Sequence, residues 1–212
     1  MMETDQMKVW KGEFGAIYTD RNKYQNESMD ELYMKDFGIT RTEMNRRFLG
    51  KLDRSMKILE IGPNSGNQLI ELSKMGFRNL SAVELNPHAI EVAKKAVPSA
   101  NIVQGNIFKI PFPDRSFDMV FTSRVLIHIS PKDIQRALKE ICRVAKEYIW
   151  GFEYFTPECT EVNYRGHENL LWKTDFAGEY LQIFPGLEMV KREKFKYLYD
   201  DNVDEMFLLR KK

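Results

Sequence analysis

Met56 to Asn67, MKILEIGPNSGN, is the stretch on which the reading of this chain turns. Met56 to Ile61 is a short apolar run, and it ends in Gly62-Pro63-Asn64-Ser65-Gly66, residue types that accept tight turn geometry. Leu69, Ile70, Leu72 and Met75 then recur at helical spacing until Gly76 stops the pattern. The predicted order is strand, glycine turn, helix. Leu80 to Leu85 (LSAVEL) is a second apolar run, after which Asn86 caps and Pro87 enters the first turn of a helix running through Ala96. These pieces make a β-α-β unit, whose parallel strands are apolar across both faces because both are covered.

Working outward, Asn101 to Gln104 supplies a third strand, Phe117 to Thr122 a fourth and Tyr148 to Tyr154 a fifth. Ser130-Pro131-Lys132-Asp133 reads as a capped helix start, and Ile134, Leu138, Ile141 and Ala145 continue one face. Beyond strand five, Thr156 to Leu171 reads as irregular, followed by a helix from about Thr174 that Pro185-Gly186 closes. Met189 to Tyr199 and Val203 to Leu209 have no helix between them, which predicts an antiparallel pair at one sheet edge. Lys191, Arg192, Lys194 and Lys196 fit the solvated side of that edge. Upstream, residues 1 to about 30 are polar with isolated aromatics of no regular period, and Thr40 to Leu52 reads as a helix. The expectation is one α/β domain over residues 1–212, a mostly parallel sandwich in which residues 1–52 form an N-terminal lid and helix before the core at 53–212.

Lys+Arg 32 against Asp+Glu 31 in 212 residues leaves a net charge of +1, so no basic field exists to draw nucleic acid or anionic lipid. The apolar runs fall far short of the roughly 18 to 20 residues that span a bilayer. The opening MMETDQMKVWKGEFG lacks the basic start and apolar core of a signal peptide. Cys142 and Cys159 form no spaced cluster, and His88, His128 and His167 are scattered without ligand spacing. A cytoplasmic chain without a metal site, not bound to nucleic acid or membrane, is expected.

A dinucleotide fingerprint would need glycine at 62, 64 and 67, where the chain has Gly62, Asn64 and Asn67, with its second glycine at 66. Glu60, Gly62 and Gly66 instead resemble motif I of class I S-adenosylmethionine-dependent methyltransferases, with Asn64 in place of the usual middle glycine. That resemblance implies a Rossmann-like sandwich, a mostly parallel seven-stranded sheet with an antiparallel hairpin at the C-terminal end, and S-adenosyl-L-methionine as cofactor. Glu84, with Leu85 beside it, follows about twenty residues on, where a carboxylate accepts hydrogen bonds from ribose hydroxyls. Gly105-Asn106-Ile107 is placed as in similar enzymes, which implies Asn106 on the adenine amino group and Ile107 against its ring. Ser116 to Phe121 and Val125 to His128 resemble the fourth motif and its following segment, which brings Thr122 to the cofactor. Singly, Gly62, Gly66 and Asn106 are also ordinary turn residues, and Glu84 an ordinary strand end.

The resemblance continues beyond the cofactor. Trp10-Lys11-Gly12-Glu13-Phe14-Gly15 with Tyr18 and Arg21-Asn22, Val125 to Pro131, Glu153-Tyr154-Phe155, Asn163-Tyr164-Arg165-Gly166-His167 and Asp175 to Glu179 look like pseudaminic acid biosynthesis-associated methylases. The implied acceptor is a small surface-glycan precursor, anionic or nucleotide-linked. Methyl transfer is an in-line displacement that excludes water, and a hydroxyl acceptor needs a base. His128, at the crevice end of strand four, and His167, after strand five, are the candidates, although a histidine in the place of His128 also serves simply to pack. Arg165 is the candidate clamp for an anion, with Tyr164, Tyr154 and Glu153 as polar partners. A phosphate or phosphoramidate oxygen would need no base. A dinucleotide-binding oxidoreductase and a non-enzymatic nucleotide-binding protein stand as alternatives. Trp10, Phe14 and Tyr18 fit a segment packed over the cofactor, with Arg21 near its methionine carboxylate. A mobile lid and a permanently docked helix are both open.

Overall fold

The computed structural model describes residues 3–22 and 28–212. Its first elements are two short helices, α1 (Asp5–Lys11), capped by the Thr4 hydroxyl accepting from the Met7 N–H, and α2 (Glu13–Arg21). This corrects the expectation of an unperiodic segment. Helices of 7 and 9 residues are too short to repeat an apolar pattern, and their stability comes from docking. A reciprocal Ser28/Glu31 capping box opens α3 (Met29–Phe37), which ends on Gly38 at φ 71°. Thr40 caps α4 (Arg41–Leu49).

The core alternates as expected: β1 (Lys57–Ile61), α5 (Asn67–Lys74), β2 (Asn79–Glu84), α6 (Pro87–Ala96), β3 (Asn101–Gln104), β4 (Phe117–Ser123). A single 3₁₀ turn, Leu126–His128, precedes α7 (Ile134–Val144) and β5 (Ala145–Tyr154). The stretch read as irregular holds a hairpin of its own, β6 (Thr160–Tyr164) and β7 (His167–Lys173). Its turn uses left-handed backbone at Arg165 (φ 54°) and Gly166 (φ 84°), with the Gly166 N–H donating to Asn163 Oδ1 at 3.1 Å. The chain closes with α8 (Phe176–Ile183), β8 (Leu187–Lys196) and β9 (Val203–Lys211).

The main sheet has seven strands in the order β3-β2-β1-β4-β5-β9-β8. The first five run parallel, and β9 lies antiparallel to both β5 and β8. Strand order reverses between β1 and β4, so their carboxyl ends open the crevice in which such sheets bind ligands. Each sheet face has its own core. Ile58, Leu72, Trp150 and Phe152 pack on one side, and Leu59, Ile61, Leu138 and Phe207 on the other. β8 has β9 as its one neighbour in the sheet, and its lysines lie on that edge. Among the described residues, no helix is long and apolar enough to cross a membrane.

Candidate active site

The turn after β1 shows why its residues matter. Gly62 has φ 68°, and a Cβ there would meet Val125 Cγ2 at 2.8 Å, so a side chain would collide with the segment following β4. Asn64 also sits in left-handed backbone, at φ 50°, a conformation that asparagine tolerates better than most residues. Its amide donates to Thr19 Oγ1 at 2.9 Å, and its side-chain carbonyl accepts from the Ser65 N–H at 2.9 Å. The residue that replaces a glycine thus also ties the turn to α2.

Glu84 ends β2 with 8% exposure and accepts three backbone N–H groups: Asn64 on Oε2 at 3.0 Å, and Leu85 and Asn86 on Oε1 at 2.7 and 2.8 Å. Burial pushes its carboxyl above the usual range, and these N–H groups oppose that rise. A carboxylate oxygen accepts about two hydrogen bonds, so Oε2 keeps room for a ligand hydroxyl. Asn86 does two jobs. Its Oδ1 caps α6 by accepting from His88 and Ala89, while its amide donates to the carbonyls of Trp10, Lys11 and Gly12 at 2.9, 3.3 and 3.2 Å.

These groups enclose a cavity of about 150 Å³. Met7, Trp10 and Tyr18 cover it, and its wall includes the β1 turn, the end of β2, residues 105–108, residues 123–125 and residues 128–130. Of the expected cofactor residues, Gly62, Asn64, Glu84, Leu85, Asn106, Ile107 and Tyr18 line it. Asn106 Oδ1 accepts from the Phe108 N–H at 2.9 Å, which fixes its side chain at the wall. Glu60, Gly66 and Thr122 lie outside the lining and are buried. Burial pushes Glu60 up to about 8, against the pull of the nearby Arg41 guanidinium. Arg21 differs from its expected place: it is exposed, 5.8 Å above the Tyr18 ring, and is not on the cavity wall.

The acceptor residues are divided. His128 is on the wall and 9% exposed, with Nδ1 2.8 Å from the Leu170 carbonyl of β7. Its ring centroid lies 4.4 Å from Trp10 and 5.3 Å from Tyr164. His167 is exposed at the start of β7, its ring 5.0 Å from Phe14, and Arg165 is exposed in the hairpin turn. Neither lines the cavity. Glu153, expected among the polar partners of the acceptor, is instead 1% exposed inside the fold and accepts from the Val125 N–H. Tyr154 packs with Arg124, Lys173 and Tyr197, away from the wall. Sequence reasoning missed Asn86 as a clamp and Arg124 as a wall residue. Arg124 has φ 58° and bonds Asp204 at 2.7 Å, a partner 80 residues away that no local pattern shows.

Residues 59–148 match the family described as methyltransferase domain. A demethylmenaquinone methyltransferase from Chlorobaculum tepidum is 28% identical over 44% of this chain and 38% of its own length. A sterol 24-C-methyltransferase from Aspergillus fumigatus is 23% identical over 72% of this chain and 43% of its own. The chain thus spans about two fifths of the length of these curated relatives. The crystal structure of a Burkholderia thailandensis 1,6-didemethyltoxoflavin-N1-methyltransferase, with S-adenosylhomocysteine bound, superposes with TM-score 0.73 at 15% identity, over 100% of this chain and 91% of that one. Residues 59–148 match a methyltransferase domain, and the fold around them is that of class I methyltransferases.

The donor that defines this class is S-adenosylmethionine, and the cavity of this methyltransferase domain fits it. Glu84 presents a buried carboxylate with acceptor capacity left, Gly62 leaves the backbone bare beside it, and Ile107 and Val83 supply apolar wall for a flat base. The donor brings a methyl group on a positively charged sulfur. The chain's own part is to hold it, align the acceptor and keep water out.

Proposed function

We propose that the domain methylates an oxygen atom of a small surface-glycan precursor, with His128 as general base. The observation that carries this reading is the bond between His128 Nδ1 and the Leu170 carbonyl. A carbonyl only accepts, so Nδ1 keeps the proton and Nε2 is left with its lone pair. Burial holds the ring down to about 4, so it is neutral and ready to accept a proton across the physiological range. An anionic acceptor bound beside it would favour the imidazolium and strengthen the base in the complex.

Trp10 and Tyr164 lie next to His128, and Phe14 packs against both, an aromatic group suited to the apolar face of a sugar ring. Arg165 and His167, exposed on the β6–β7 hairpin, are assigned to the charged end of the acceptor, a carboxylate or a phosphate. The likeness of the Tyr164-Arg165-Gly166-His167 element to pseudaminic acid biosynthesis-associated methylases supports the same acceptor class. A phosphate or phosphoramidate oxygen is the second reading. The low proton affinity of His128 favours it, because an oxygen that is already anionic needs no base.

The test is a panel of nucleotide sugars, nonulosonic acids and phosphoryl compounds, scored by mass spectrometry for a methyl gain. His128→Ala is expected to lose about two orders of magnitude in turnover on a hydroxyl acceptor. Full activity in His128→Ala would overturn this base, and full activity in His167→Ala as well would leave the second reading. Arg165→Ala is expected to raise KM and leave kcat near native. Cofactor binding with no methyl gain on any compound would favour a non-enzymatic role.

A further inference from the structure

We propose that Glu153 is a positioning residue for methyl transfer: from the end of β5, its buried carboxylate holds the turn that carries His128. The proposal rests on the reading of His128 as the base. Glu153 Oε1 accepts from the Val125 N–H at 3.3 Å, and the backbone N–H groups of Leu126 and Ile127 and the Thr122 hydroxyl also stabilise the carboxylate. Those three consecutive N–H groups belong to the segment that winds into the 3₁₀ turn Leu126–His128, which the His128 N–H closes on the Val125 carbonyl at 3.0 Å. A one-turn helix has almost no internal hydrogen bonding to hold its shape, so its opening N–H groups need outside acceptors.

The two supports of His128 come from different strands and do different things. Leu170 of β7 orients the ring, and Glu153 of β5 anchors the backbone from which the ring projects. Glu153 stands opposite Glu205 of β9 in the sheet register, but the Glu205 carboxylate is taken by Arg192 at 2.6 Å. The Glu153 carboxylate therefore turns to the segment after β4, with Oε1 on the Val125 N–H and Oε2 buried without a hydrogen-bond partner among the described residues. Burial pushes it up to about 7, and the N–H groups and the Thr122 hydroxyl work against that rise. Losing such an acceptor leaves the Val125 N–H unpaired and removes the carboxylate from beside the next two N–H groups, which lets the turn relax.

The experiment follows the His128 imidazole by NMR in the full chain saturated with S-adenosylhomocysteine, with His128→Ala used to assign its signals. In Glu153→Ala the ring signals are expected to shift, and the ring's titration midpoint to rise by about one unit or more as water reaches the loosened turn. Affinity for S-adenosylhomocysteine is expected to stay within about threefold of native, because Gly62, Glu84 and Ile107 are untouched. Glu153→Gln keeps an acceptor oxygen at the same reach and is expected to restore signals close to native. Should the alanine variant fail to fold, Glu153→Asp serves instead, since its carboxylate keeps the charge but is drawn back by one methylene. Native His128 signals in Glu153→Ala, or in Glu153→Asp where that variant serves instead, or cofactor affinity falling in step with the shift, would overturn the proposal. The two readings fail separately. Unchanged imidazole signals sink the positioning role alone, and full turnover in His128→Ala on the acceptor panel sinks the base alone.

Discussion

His128 on the 3₁₀ turn and Leu170 on β7 are joined by a 2.8 Å contact between Nδ1 and a backbone carbonyl, 42 residues apart in the chain. The contact fixes the tautomer of a buried ring whose proton affinity is held down to about 4. Its folded value lies below the ordinary 6.5, so the unfolded chain takes up this proton first as the solution is acidified. The stability associated with neutral His128 is complete above about pH 6.5 and is lost as pH falls toward 4. His128→Asn is therefore expected to flatten the acid limb of a urea-unfolding series, by about 2 kcal/mol at pH 5. Equal slopes in native and variant protein would contradict it.

Glu60 predicts the opposite slope. Its folded value is raised to about 8, so the stability it brings is complete below its ordinary 4.5 and is lost as pH rises through about 8. Glu60→Gln removes that loss. Its stability relative to the native chain is expected to grow from pH 6 to pH 8.5 and then level off, as measured by denaturant midpoints at matched salt.

Asn86 predicts how the first two helices behave without ligand. Because its amide holds the Trp10, Lys11 and Gly12 carbonyls, residues 5–21 are expected to resist amide exchange before any cofactor is added. In Asn86→Ala that protection should fall, alongside about 1 kcal/mol lost from the α6 cap. A protection pattern that appears only with S-adenosylhomocysteine would return the segment to a mobile lid.

For Glu84, substitution by alanine is expected to weaken S-adenosylhomocysteine binding more than about tenfold by calorimetry, from loss of a charged acceptor for the ligand. The same variant should melt at lower temperature, since the N–H groups of Asn64, Leu85 and Asn86 lose their partner. Tight NADH binding by the native chain, with none of the methylated cofactor or its product, would revive the oxidoreductase reading.

Much of the core was legible because its signals are local. The run MKILEI, the turn Gly62 to Gly66 and the Asn86-Pro87 helix start each lie within a few residues, and the structure places β1, α5, β2 and α6 accordingly. Residues 156–171 were not legible as a hairpin. β6 buries no side chain and β7 buries three consecutive ones, Leu170, Leu171 and Trp172, so apolar alternation was weak, and the clue was the turn at Asn163 to Gly166. The helices α1 and α2 were legible only as one of two open readings, a docked helix or a mobile lid, for a related reason. Their apolar residues serve a docking surface that exists only once the sheet is built.

By itself, the sequence determined the parallel α/β order, the edge hairpin and the residues that approach one another along β1 and β2, because periodicity and turn chemistry act over short distances. Tertiary structure alone decided which polar residues face the cavity and which support it. Glu153 and His128 both lie near the carboxyl ends of neighbouring strands, yet the carboxylate turns inward to the Val125 N–H while the imidazole reaches the wall. Arg165 and His167 stay exposed and outside the lining, while Arg124 enters the wall. Those outcomes depend on strand pairing and on partners 28, 42 and 80 residues away. A buried polar group takes whichever partner the assembled fold brings within reach, and local sequence carries no record of that choice.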